Sequence, residues 1–144
     1  RGVSVKSCKG PVKALLNNGV TTRLNLKSGR TQYVMTAEDL CCVGIIPMQA
    51  DLCLAATLGL DHAERNGHHF HPGLKYLPTD RQEAALEAHS DLYARRGDRV
   101  APCLKDGAFH IASLQCEGFG FAVAPQWEDY TPATEWNYDS LGLE

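Results

Sequence analysis

Residues 61–71 carry His62, His68, His69 and His71, the carboxylates Asp61 and Glu64, and Arg65, set around Gly67 directly after an apolar segment. Imidazoles titrate near neutrality, ligate metals and relay protons, and a glycine lets the backbone turn sharply among them. Upstream, Lys6 and Lys9 follow an alternating opening stretch, and Glu38 and Asp39 close a β-forming run. A lysine, a carboxylate pair and a glutamate with histidines together make an inventory for taking a proton from carbon and stabilising the resulting anion. Glu64 leads the set because it follows a short apolar strand directly. His62 is expected to point away from it, and adjacent side chains diverge, so at most one of His68 and His69 faces a given ligand.

Plainer roles compete with each of these. Lys6 and Lys9 suit a solvated surface, and Glu38 and Asp39 could cap the following turn. A self-contained zinc module is a second reading: His68, His69 and His71 with Cys8 or Glu64 could supply the three or four converging ligands it needs. Their spacing matches no structural-zinc pattern. No cysteine has an obvious positive partner to make it a nucleophile.

The elements that must position these groups follow from periodicity and punctuation. Val3, Ser4, Val5 and Lys6 alternate as a strand. Gly10 and Pro11 then open a helix over 12–18 that Gly19 closes. Residues 22–26 alternate weakly, 27–29 turn, and 31–35 are rich in β-formers, so that Glu38 and Asp39 sit at a strand's carboxyl end. An unusually apolar loop, 40–47, leads to a buried helix over 48–60, ended by Gly59, and residues 60–64 are a further strand. Beyond Pro78, Thr79 and Gln82 make a capping box, and the helix they open continues through His89, Leu92 and Tyr93 to Gly97. Asp106 and Gly107 read as a hairpin turn between 100–104 and 108–114. The tail from Pro125 holds Trp127 and Trp136. The expected division is 1–78, β/α units with a rim loop, and 79–144, a helix with a C-terminal capping and tail segment.

With 44% hydrophobic and 22% charged residues in a chain of 144, the composition is that of a globular domain with a real core. A net charge of -3 with scattered basic residues argues against nucleic acid or an anionic membrane as partner. No stretch approaches the roughly 20 apolar residues of a membrane span, and the start lacks a signal peptide's apolar core. The six cysteines show no regular spacing and several lie in apolar runs, which fits buried thiols in the cytoplasm better than a disulfide framework. A start at Arg1 points to a processed subunit, a fragment or a nicked chain.

The strand and helix order up to Glu64, the helix containing Met48 to Ala56, and Asp106-Gly107 followed by Glu117, Gly118, Phe119, Gly120, Phe121, Ala122 and Val123 together resemble the closing part of the enolase superfamily, in its mandelate racemase and muconate-lactonizing branch. The last segment is similar to that family's terminal Asp-Gly and Pro-Gly-Leu-Gly-Val signature, with Glu117 and Phe119 where the family has proline and leucine. The resemblance implies an α/β fold, the C-terminal portion of a (β/α) barrel with its last three strands and helices plus a C-terminal capping segment. It also implies a metal-dependent lyase or isomerase that abstracts a proton α to a carboxylate while Mg²⁺ stabilises the enediolate. Lys6, Glu38, Asp39, Glu64 and one of His68 or His69 would be its rim groups. The Mg²⁺ ligands would come from a second chain that completes the barrel, since the acid-bearing strands are not here, and the substrate would be a small-molecule carboxylate. The family often carries a histidine on its penultimate strand, where this chain has Glu38 and Asp39. A third reading is a non-catalytic interaction subunit that docks through the 40–47 loop and the tryptophan-bearing tail.

Overall fold

The structure is a computed structural model that describes residues 1–6, 9–39, 44–65 and 71–141. Its elements run β1 (Gly2–Val5), α1 (Pro11–Ser28), β2 (Val34–Asp39), α2 (Ile45–Thr57), β3 (Ala63–Arg65) and α3 (Thr79–Ala88), then the pairs β4 (Tyr93–Arg96) with β5 (Arg99–Pro102) and β6 (Leu104–Lys105) with β7 (Ala108–Phe109). This is a mixed α/β architecture, and the expected alternation of strand and helix through Glu64 is present. Contacts divide the chain into two units, Arg1–Cys42 with Leu54–Gly67, and Val43–Cys53 with His68–Glu144.

In the first unit β1, β2 and β3 form a parallel sheet in sequential order. Parallel neighbours cannot be joined by a tight turn, so each connection carries a helix. Val5 and Met35 share one face of the sheet and pack with Ala14, Leu54, Leu58 and Leu60. The alternate residues Ser4, Thr36 and Glu38 point to the opposite face, as the pleat requires, and that face is half-buried to exposed.

Pro11 occupies the first turn of α1, where its missing N–H costs nothing. The helix runs through Gly19, the expected stop, and absorbs residues 22–26. A mid-helix glycine costs only about 1 kcal/mol relative to alanine, too little to end a helix docked on a sheet. Side-chain hydrogen bonds beyond its last turn set where the next strand begins. Asn25 Oδ1 accepts from the backbone N–H groups of Gln32 (3.1 Å) and Tyr33 (2.9 Å), while Asn25 Nδ2 donates to the Tyr33 carbonyl (2.8 Å). These bonds occupy residues 32 and 33, so β2 begins at Val34 rather than at 31. Only Ala14 of α1 is fully buried, while Val12, Leu16 and Val20 remain 68%, 66% and 57% exposed. The apolar side of α1 therefore faces away from the sheet it packs on.

The second unit closes around Met48, Leu52, Leu74, Leu77, Ala85, Leu92, Tyr93, Val100 and Leu114. The helix expected from Thr79 to Gly97 ends at Ala88, and Tyr93 instead begins β4. His89 leaves helical geometry, and its carbonyl accepts from both Leu92 N–H (3.0 Å) and Tyr93 N–H (2.9 Å). That turn places Leu92 and Tyr93 in the core, where each buried side chain of this size contributes about 1.5–3 kcal/mol. The capping box does not form either, since the residue preceding the helix is Pro78 and no side chain caps it. Gln82 turns inward, donating to the Leu77 carbonyl (3.0 Å) and accepting from Val100 N–H (3.1 Å). Asp106 and Gly107 both take positive φ, 52° and 76°, as a two-residue hairpin turn of the mirror-image type demands. The turn joins only β6 and β7, because Val100 pairs with Arg95 of β4.

Candidate functional site

In a parallel β/α sheet the carboxyl ends of the strands form the rim where functional groups collect. Val5 of β1 lies opposite Ala37 of β2, and Glu38 lies opposite Glu64 of β3. Lys6 follows Val5, and its Nζ lies 3.0 Å from Glu38 Oε1. Residues in register on parallel strands share a face, so Lys6, Glu38 and Glu64 stand in a row across three adjacent strand ends. Asp39 ends β2 in register with Arg65. His62 supplies a backbone carbonyl to Ala37 N–H at 3.1 Å, and its side chain is exposed. His68 and His69 lie outside the described residues, as do Cys8 and the 40–43 part of the apolar loop.

The Lys6 ammonium, and after it the Ser4 hydroxyl, hold the Glu38 carboxyl below its ordinary value of 4.5. Glu38 is therefore a carboxylate across the neutral range, paired with a cation. Beside it, a cavity of about 120 Å³ is lined by Ser4, Lys6, Lys9 and Lys13 among others. Three ammonium groups around one cavity favour an anion there. Lys13 was not singled out from the sequence, although its place four residues after Lys9 at the start of a helix was a usable signal.

The described part of the donor set does not converge. Among the described residues no three His, Cys, Asp or Glu side chains converge, and Glu38 already faces an ammonium, which repels a cation. His71, one of the zinc module's proposed ligands, has Nδ1 3.1 Å from the Gly73 carbonyl, and its ring meets Tyr76 edge-on. Its Nδ1 thus carries a hydrogen and donates to that carbonyl. Cys53 and Cys103 are buried thiols, as expected.

The second unit holds a polar chain that sequence reasoning missed. The Ser113 hydroxyl bonds Asp91 Oδ1, and Ser113 N–H donates to Asp91 Oδ2 at 2.9 Å. An ionised carboxylate only accepts, so Ser113 spends its hydrogen on Asp91 and accepts from His89 Nδ1 at 3.0 Å. His89 is thereby fixed with its hydrogen on Nδ1, leaving Nε2 as an acceptor that Ala122 N–H approaches at 3.4 Å. Burial pushes the His89 imidazole below its ordinary 6.5, with the Asp91 charge opposing. Burial also works to raise the Asp91 carboxyl, but the hydrogen bonds from the Ser113 hydroxyl and backbone bring it below its ordinary value. In the sequence His89 is one more member of a helix face, and nothing local distinguishes it.

Among the described residues, no helix is long and apolar enough to cross a membrane. Comparison with family models, with curated proteins and with solved structures returns no match to this chain.

Proposed function

We propose that this chain supplies the closing β/α units of an enolase-like barrel and acts, with a second chain that completes it, as a lyase or isomerase on a small-molecule carboxylate. The row of Lys6, Glu38 and Glu64 carries this reading, with Lys6 and Glu38 in contact at 3.0 Å and Glu38 in register with Glu64. The sequential strand order supports it, because neighbouring barrel strands follow chain order whereas doubly wound sheets reverse it at a switch point. Glu64 removes the proton α to the substrate carboxylate, and the electron pair moves onto that carboxylate. The Lys6 ammonium, 3.0 Å from Glu38, stabilises the added negative charge. One of His68 or His69 binds the substrate or returns the proton, while Asp39, one residue on from Glu38, belongs by strand alternation to the other face of the sheet. Any magnesium ion belongs with acids of the second chain.

A second chain is supported by two surfaces. Parallel sheets are ordinarily covered on both faces, yet the Ser4, Thr36 and Glu38 face is half-buried to exposed, and α1 turns Val12, Leu16 and Val20 outward. In a complete barrel the first surface would face the interior and the second the preceding helix. Trp127 and Trp136, both more than half exposed, favour a second reading, a non-catalytic subunit that docks through its tail.

The test is α-proton exchange. The native particle is incubated in D₂O with a panel of carboxylates bearing an α-hydrogen, and deuterium incorporation is followed by NMR. A member of the panel is expected to exchange, and Glu64→Gln to slow it about 10²–10⁴-fold, the usual share of a positioned general base. A chain that runs alone, with no carboxylate exchanging, would sink the reading. Full activity of a tightly bound partner in its absence would select the docking subunit instead.

A further inference from the structure

Residues 121–126 form a strap across the second unit, held at either end by packing. Gly120 lies against α2, where a β-carbon would come 2.8 Å from the Gln49 carbonyl oxygen. Beyond the strap, the Tyr130 ring meets Tyr76 at 6.2 Å between centroids. Between these contacts Ala122, Val123 and Ala124 are exposed. Among the described residues a single hydrogen bond ties 121–126 to the rest of the unit, from Ala122 N–H to His89 Nε2 at 3.4 Å. Under the strap is a cavity of about 50 Å³ whose lining includes Ile45, Leu77, Ala85 and Val123.

We infer that His89 is an acid-sensitive latch: proton uptake at Nε2 releases the strap and opens the cavity. The Asp91 carboxylate takes the Ser113 hydrogen, so Ser113 accepts from His89 Nδ1, and the neutral ring keeps its lone pair on Nε2. Nε2 is therefore where an added proton must go. The new Nε2–H then faces Ala122 N–H, two donors where a donor and an acceptor had met. With the strap closed His89 is 2% exposed, so the charged ring is left buried with one N–H unmet, a state that admitting water relieves. Of the groups facing the ring, Asp91, acting through Ser113, favours the charged form, while burial outweighs it. Arg81 and Tyr130 line the same cavity, whereas Ile45 and Gln49 of α2 and residues 123–126 bring no titratable group to it. Because the closed strap holds the ring neutral, acid favours the open one, and release falls below the ordinary imidazole value of 6.5. The latch lies in the second unit and does not depend on the reaction proposed at the strand ends.

The experiment follows the isotope-labelled full chain by NMR from about pH 8 to about pH 4. The His89 ring carbons give its midpoint, and heteronuclear NOE values report the order of the strap on the fast timescale. Phe121, Ala122, Val123, Ala124 and Gln126 are expected to lose order with the midpoint of the ring, while the core amides of Leu92 and Val100 stay ordered. Protection of Ala122 N–H against hydrogen exchange, relative to an unstructured chain at the same pH, should fall at least about fivefold, the share of one net hydrogen bond. His89→Gln should remove the pH response. A strap still ordered after His89 has titrated, a release whose midpoint differs from that of the ring, or a release that persists in the variant would each overturn the latch. Loss of order in the core at the same midpoint would do so too. The wild-type midpoints decide by themselves should the variant fold poorly.

Discussion

Lys6 Nζ and Glu38 Oε1 lie 3.0 Å apart across the carboxyl ends of β1 and β2, joining two residues separated in the chain by the whole of α1. The contact exists because Val5 is registered on Ala37, which brings the next residue of each strand onto the same face at the same height.

Replacing Lys6 by methionine should let the Glu38 carboxyl titrate closer to its ordinary 4.5, because the ammonium is the largest influence holding it down. A depressed carboxylate contributes stability above its unfolded pKa and loses it as pH falls through the folded one. The acid limb of the stability curve should therefore flatten in Lys6→Met. Carboxyl-carbon NMR reads the midpoint directly, and an unchanged Glu38 titration would contradict the pairing.

His89 gives the opposite half of the acid range. Its folded pKa lies below the ordinary 6.5 because of burial, so the unfolded chain binds the proton first. Stability is full above 6.5 and falls as pH drops from there toward the folded pKa. Urea unfolding from about pH 8 down to about pH 5 should show this slope in the wild type and lose most of it in His89→Gln. The same slope in both proteins would mean that another group is responsible.

Gln82 should tolerate leucine poorly. Gln82→Leu strands the Leu77 carbonyl and the Val100 N–H, both now bonded to the side chain, and two buried unsatisfied groups cost about 2–6 kcal/mol. Chemical denaturation measures it. A loss under about 1 kcal/mol would show that other groups or water replace both bonds.

Gly120 has φ of 95°, and a β-carbon there would lie 2.8 Å from the Gln49 carbonyl oxygen. Gly120→Ala combines a left-handed backbone with a backbone collision, and about 1–3 kcal/mol of destabilisation is expected. The backbone shifts of Gln49 should move with it in NMR spectra. A neutral substitution would mean that the segment after Gly118 does not pack on α2.

The sequence by itself determined the alternation of strand and helix through Glu64, the turn at Asp106 and Gly107, and the residue types at the strand ends. These are carried by periodicity and by glycine and proline, which act within a few residues. Element boundaries were less legible where distant contacts decide them. Asn25 holds residues 32 and 33 out of β2, and core burial turns Leu92 and Tyr93 out of α3. Glu38, Glu64 and Lys6 could be nominated from their places at strand ends, but only parallel pairing brings them into one row, because register is set between strands and not within one. The same holds for the second unit. Asp91 and His89 meet Ser113 across 22 and 24 residues of chain, and Gln49 comes to line a cavity only once α2, α3 and the segment after Gly120 are packed together. Local sequence chose the elements and the chemistry they carry; the pairing and packing of distant segments chose which of those groups meet.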